Sequence, residues 1–273
     1  MQLLHSATRN YSWGSRTLIP HLQGQPDSDK PVAELWFGAH PGDPSTVDGR
    51  LLNEVIAEDP AGQLGSRVSA EYGERLPFLL KVLAAEEPLS LQAHPSKEQA
   101  EEGFARENAA GIELTAPNRN YKDDNHKPEL IVALTDFYAM AGFRPLARTR
   151  ELFVALECPE LDHYVAMLDE DPSVTTESAN LRVLFTTWIT IPSAKRKELI
   201  AAIVSAGERL IAADPADWKS RVMSTVLELN QRYPGDIGVL GALLLNHIEL
   251  SPGEAVYLDA GQLHAYVSGL GVE

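Results

Sequence analysis

Apolar and polar residues alternate through Leu89, Ser90, Leu91, Gln92, Ala93 and His94. A strand sends successive side chains to opposite faces, so this period predicts a strand with Ser90, Gln92 and His94 on one face. Three polar groups in an apolar neighbourhood need a partner, which a metal ion or a polar ligand would supply. Pro31 to Ala39 reads as a second strand, with Val32, Leu35 and Phe37 apolar and Glu34 an unusual carboxylate inside the run. Leu76 to Leu83 reads as a buried strand carrying one charge, Lys81, which either snorkels to solvent or meets a buried anion. Leu130 to Leu134 is a continuous apolar run, preceded directly by His126, Lys127 and Glu129. Leu51 to Glu58 has helical spacing at Leu52, Val55 and Ile56. Ser96 with Gln99 forms a capping box that opens a Glu- and Ala-rich helix ending near Gly111. Pro117 to Asp124 is polar loop, and Asn10 to Ser15 is a turn bearing Tyr11 and Trp13. That turn fits either a lid over the core or a ligand contact.

The period changes near Thr149. From there to Tyr233, helical spacing replaces strand alternation, as in Leu199, Ile200, Ile203, Val204, Leu210 and Ile211. Ser193 is the expected N-cap of that helix, and Asp214-Pro215 its end. Trp218 to Asn230 is a further helix with Val222, Val226 and Leu229 on one side. From Asn246 onward strands and turns return, including the short strand Ala255–Leu258. The expected organisation is a β-rich catalytic part over residues 1–146, a helical insertion over 147–235, and a return to the β core over 236–273. No internal repeat or low-complexity segment interrupts it.

Composition narrows the function. A chain of 273 residues with 44% hydrophobic content can bury a sizeable core. The net charge of −16 argues against a nucleic-acid or anionic-membrane partner, though a few local lysines can still hold a phosphorylated small molecule. Cys158 is the single cysteine, so no internal disulfide can form, which fits a reducing, cytoplasmic setting. No signal peptide and no apolar run of membrane-spanning length is expected.

The candidate chemistry lies in Gln92, His94, Glu129 and His264. Two imidazoles, a carboxylate and an amide oxygen suit Zn²⁺, while Mn²⁺, Fe²⁺, Co²⁺ and Ni²⁺ stay open by ligand type. With no cysteine among these four residues, a closed structural zinc site is disfavoured. His5, His21, His40, His163 and His247 read as ordinary core or surface residues. Gly253, Asp259, Gly261 and His264 resemble the second half of the cupin motif, with Asp259 where proline is usual.

Taken in order, six stretches resemble the type I phosphomannose isomerase family. They are Tyr11-Ser12-Trp13-Gly14, Ala33-Glu34-Leu35-Trp36, Leu89 to Pro95, Asn125-His126-Lys127-Pro128-Glu129, Gly142-Phe143-Arg144-Pro145 and Ala260 to Tyr266. The resemblance implies a cupin-like β-barrel (jelly-roll) core with an inserted all-α subdomain. It implies one zinc per chain, held by Gln92, His94, Glu129 and His264, and interconversion of mannose 6-phosphate and fructose 6-phosphate through an enediol. It makes Lys127 a candidate for proton transfer and His126 for ring opening. It places Trp13, Glu34, Lys81, Ser90, Tyr266 and Glu273 around the substrate. Desolvation beside a metal would lower a lysine's pKa and make it a usable base.

Members of that family continue past Glu273 into an arginine-bearing segment and a further β domain. The expectation is therefore a chain cut short, binding zinc but turning over poorly without that segment. A monomer is expected of the longer form and self-association of this one, through an unpaired sheet edge. Alternative readings are a non-catalytic cupin that binds a sugar phosphate, and an isomerase of another aldose phosphate. A cupin oxygenase fits less well, because Lys81 and Lys127 suit a phosphosugar better than O₂.

Overall fold

The computed structural model describes residues 2–168 and 177–273. Its strands in chain order are β1 (Leu4–His5), β2 (Ala7–Arg9), β3 (Glu34–Phe37), β4 (Thr46–Val47), β5 (Arg50–Leu51), β6 (Leu80–Ala85), β7 (Glu129–Ala133), β8 (Phe137–Phe143), β9 (Leu245–Leu250), β10 (Ala255–Leu258) and β11 (His264–Val272). One small sheet runs β1-β4-β5, and a large one runs β10-β7-β11-β6-β3-β2, with β8 pairing both β11 and β9. All the pairings are antiparallel. This is the cupin-like core expected from the sequence, and β11 is its axis.

β11 joins two layers. Its first half, His264 to Ser268, pairs with β8, and its second half, Gly269 to Val272, pairs with β6. The register shifts between Tyr266 and Ser268, as at a bulge. Bulges bend a strand and increase its twist, which lets one strand pass from one sheet to the next. Gly269 follows with φ 124°. A Cβ there would stand 2.7 Å from the Asp136 carbonyl oxygen, so both the conformation and the space require glycine.

The second half of the described chain is largely helical. Helices Leu146–Leu156, Asp162–Met167, Glu177–Thr190, Ser193–Ala213, Trp218–Arg232 and Ile237–Ala242 follow one another, with a 3₁₀ turn at Pro159–Leu161. Their apolar faces supply Leu152, Leu184, Trp188, Ile200, Ile203, Met223 and Val226 to one cluster. Met140 of β8 and Ala265 and Val267 of β11 belong to that same cluster. Helices and barrel therefore share a core. The other side of the barrel interior is filled by Leu83, Ile131, Phe137 and Leu258. Helix Leu18–Leu22 covers part of the outer sheet face through Ile19, packed with Leu35, Ala84 and Leu270.

Several local expectations shift. Glu34–Phe37 and Leu80–Ala85 are shorter or later than the predicted strands, and Phe78 stands in solvent at 62% exposure. The Ser96–Gln99 capping box opens helix Lys97–Ala109 as predicted. Ser193 is not an N-cap: Pro192 holds that position with extended backbone, and Ser193 is already the first helical residue. Proline before a serine fixes φ and takes over the boundary that the hydroxyl would otherwise mark. Residues 89 to 94 form only an isolated bridge, Gln92 to His264, rather than a ladder strand.

Candidate metal centre

Three elements far apart in sequence bring the candidate ligands together. Glu129 opens β7, His264 opens β11, and His94 follows the bridge that Gln92 makes with His264. Gln92 and His264 exchange both backbone bonds, at 2.8 and 2.9 Å. Directly paired residues of an antiparallel bridge point to the same face, so Gln92 stands beside His264. His94 is anchored in turn by its carbonyl, which accepts from the Gly261 amide at 2.7 Å.

The side chains converge on one carboxylate. His94 Nε2 lies 2.9 Å from Glu129 Oε1, and His264 Nε2 lies 3.1 Å from Glu129 Oε2. One ligand atom from each of the three residues falls within 4.8 Å of the others. His264 Nδ1 donates to the Gln262 carbonyl at 2.8 Å, which fixes the ring and aims Nε2 inward. His94 Nε2 is buried yet has no hydrogen bond of acceptable geometry, despite its closeness to Glu129. Two imidazole nitrogens facing the two oxygens of one carboxylate, one of them orphaned, are what a bound cation would reconcile. The donor set of nitrogen and oxygen fits zinc. Burial alone would raise the Glu129 carboxyl; the adjacent His264 and His94 outweigh it and hold it well below the usual range.

The centre opens into a cavity of ≈ 630 Å³. Its floor is the inner face of the large sheet. Glu34 and Trp36 of β3 and Lys81 of β6 share that face, because Trp36 pairs with Lys81 and Glu34 with Leu83. Glu273 pairs with Lys81 from the other side, through backbone bonds of 2.7 and 2.9 Å. Lys81 Nζ donates to Glu273 Oε2 at 2.5 Å and lies 3.8 Å from Glu34 Oε1. Lys81 thus meets buried anions rather than snorkelling. Burial pushes its pKa down, but Glu273 and Glu34 outweigh that and leave it raised. Glu34 is raised by its own burial, in spite of Lys81 and a 2.8 Å bond from Trp36 Nε1. Burial, Glu273 and Glu129 raise the Tyr266 phenol, whose hydroxyl donates to Glu129 Oε2 at 3.3 Å.

Trp13, Glu34, Lys81, Ser90, Gln92, Glu129, His264, Tyr266 and Glu273 all line this cavity. His126 and Lys127 do not: both are exposed on the loop before β7, and Lys127 Nζ pairs with Asp123 at 3.2 Å. Their exposure follows from Pro128, which keeps the loop out of the ladder until Glu129. The sequence reading missed Trp36 beside Lys81, where Arg9 lies over its ring at 5.0 Å and Asp43 holds Arg9 at 2.8 Å. It also missed the helical wall, formed by Leu229, Tyr233, Asp236 and Val239. Trp36 carried a signal, the parity it shares with Glu34; the helical wall carried none.

A barrel that gathers two imidazoles and a carboxylate beside an open, charged cavity is the arrangement of a metal-centred cupin. The family described as phosphomannose isomerase type I, catalytic domain, matches residues 1–146. A mannose-6-phosphate isomerase of Escherichia coli is 40% identical over the whole of this chain, which spans 68% of its length. One from Emericella nidulans is 36% identical, over 89% of this chain and 56% of its own. The crystal structure of the Salmonella typhimurium mannose 6-phosphate isomerase bound to fructose 6-phosphate and zinc superposes with a TM-score of 0.86 at 36% identity, covering 100% of this chain and 67% of that one. The chain belongs to the type I phosphomannose isomerases.

Proposed function

We propose that this chain interconverts mannose 6-phosphate and fructose 6-phosphate at a zinc centre held by Gln92, His94, Glu129 and His264. The observation that carries the reading is the pair of imidazole nitrogens set 2.9 and 3.1 Å from the two oxygens of Glu129, at the edge of a cavity sized for a sugar phosphate. Zinc, when bound there, supplies Lewis acidity that polarises the carbonyl and hydroxyl oxygens at C1 and C2. The chain's own residues do the rest. Trp13 packs against the sugar ring, and Ser90 hydrogen-bonds it. The Lys81–Glu34–Glu273 cluster presents a cation and two acceptors on the floor. Tyr266, kept protonated by its surroundings, donates a hydrogen bond and never a charge.

Moving a proton from C2 to C1 through a cis-enediol needs one group that takes and returns it. Lys127 is the proposed group and His126 the proposed partner in ring opening. In this arrangement Lys127 exchanges Asp123 for the substrate on binding. The test is zinc content measured beside a coupled isomerase assay and the exchange of the C2 deuterium of labelled mannose 6-phosphate. Loss of zinc and rate together on chelation, with both restored on reloading, is expected. A metal-loaded protein that binds the sugar phosphate without proton exchange would be a binding cupin, and exchange on another aldose phosphate alone would reassign the substrate.

A further inference from the structure

The segment that carries Gln92 and His94 is supported on one edge only by the barrel. Leu89 N donates to the Tyr266 carbonyl at 2.9 Å, Gln92 exchanges bonds with His264, and His94 O accepts from Gly261. All of these partners lie between Gly261 and Tyr266. Among the described residues no strand ladder holds the opposite edge. A segment paired on one edge is free to shift by fractions of an ångström, which a metal ligand does not tolerate.

The helical block occupies the place of the absent strand. Leu91 is partly buried and packs against the helical core cluster. Its side chain seats on helix Ile237–Ala242 where that helix has no side chains. A Cβ added to Gly241 would stand 2.5 Å from Leu91 Cδ1, and one added to Gly238 would stand 4.0 Å from the same atom. Tyr233, at the end of helix Trp218–Arg232, donates its hydroxyl to the Pro88 carbonyl at 3.2 Å. Arg232 Nη1 lies 3.4 Å from Glu87 Oε1. Leu91 is the chain neighbour of Gln92, and both residues line the cavity. A push on Leu91 from the helix is thus a push on Gln92 toward or away from the centre.

We propose that Gly241, Leu91 and Tyr233 are positioning residues for the metal centre: the helical block sets the depth of the ligand segment through a knob, Leu91, in a glycine notch. This rests on the metal reading of His94, Glu129 and His264. Outer partners of metal ligands characteristically change affinity by about 10- to 100-fold when lost. Gly241→Ala fills the notch while improving helix propensity, so it does not unfold the helix. Leu91→Val shortens the knob. Tyr233→Phe removes only the hydroxyl.

The experiment measures zinc dissociation constants by chelator competition and the visible spectrum of the Co²⁺-substituted protein, together with kcat and KM. Gly241→Ala is expected to weaken zinc about 10-fold, alter the Co²⁺ spectrum and lower kcat more than it raises KM. The double variant Gly241→Ala with Leu91→Val is expected to return to within about threefold of the parent zinc affinity, because the shortened knob again fits the filled notch. Tyr233→Phe is expected to weaken zinc about threefold to 10-fold with an unchanged melting temperature in the apo protein. Zinc affinity and Co²⁺ spectrum unchanged in both Gly241→Ala and Tyr233→Phe would overturn the proposal, as would a double variant no better than Gly241→Ala alone. A parent protein that binds neither zinc nor Co²⁺ would instead overturn the metal reading beneath it.

Discussion

At the scale of single residues, the centre rests on one carboxylate serving two imidazoles. Glu129→Gln keeps the shape but removes the charge that holds both rings. It is expected to lose zinc and to lower turnover by at least about 100-fold, read by elemental analysis and initial rates. Lys81 makes a different prediction. Lys81→Met leaves Glu34 and Glu273 facing each other without a cation, at a cost of about 3–5 kcal/mol at neutral pH. Glu34 is already raised above its unfolded value, and loss of Lys81 raises it further. A carboxyl with a raised folded pKa contributes stability at low pH and loses it as pH rises through the folded pKa. The variant should therefore regain stability on acidification from neutral toward pH 5, seen as a rising urea midpoint. His247 works the other way. Burial pushes its imidazole down to about 4, and its Nε2 lies 3.0 Å from the Ala242 carbonyl. Its stabilisation is present above the unfolded pKa near 6.5 and is lost as pH falls toward 4, by at most about 3 kcal/mol. His247→Gln should flatten the acid limb of the stability curve between those values, and an unchanged limb would show that other groups control it.

At the scale of elements, the outcome depends on how local each signal is. The capping box at Ser96 and Gln99 is contained in four residues, and it was legible. The helices Ser193–Ala213 and Trp218–Arg232 declared themselves by spacing. The parity of Ser90, Gln92 and His94 pointed to a shared face, but Leu89 and Leu91 line the cavity together with Ser90 and Gln92, and His94 does not. Parity could not say that this stretch would pair on one edge only, because that depends on the helical block. Helix Leu18–Leu22 and the short strands β4 and β5 were missed, being too brief to show a period. The register shift in β11 was equally hidden, and so was the need for glycine at 269, since the Asp136 carbonyl that would crowd a Cβ there comes from a distant part of the chain. Gly269→Ala tests it: positive φ and close contact together should lower stability by about 3 kcal/mol in urea unfolding and weaken zinc through His264 on the same strand. Ser96→Ala, by contrast, should cost about 1 kcal/mol and leave zinc affinity untouched.

At the scale of the whole molecule, charge and chemistry pull apart. The net charge is −16, while the floor of the cavity holds Lys81 between two glutamates. An anionic substrate approaches against the long-range field and is held only by local groups. Raising ionic strength from 10 to 150 mM shortens the screening length from about 30 to about 8 Å. The value of kcat/KM for mannose 6-phosphate should then rise, by roughly twofold. A steep fall with salt would mean that a cation beside the cavity, such as Arg9 over the Trp36 ring, governs capture instead. The sequence showed the overall charge and the two lysines but not their partners. Lys81 meets Glu273, and Lys127 meets Asp123, only in the folded chain.

β11 has a consequence for the order of assembly. It pairs with β6, β7 and β8, all of which precede the helical block, while β11 follows it. The helices make mostly local contacts and can form early, whereas the strands wait for a partner made much later. In that interval the inner edges of β6 and β7 stand open, and open edges recruit other chains. The strand that completes the metal centre is also the one that closes the barrel. A newly made chain therefore gains its zinc ligands and its protection from aggregation in the same event, and slow synthesis through the helical block prolongs the time spent without either.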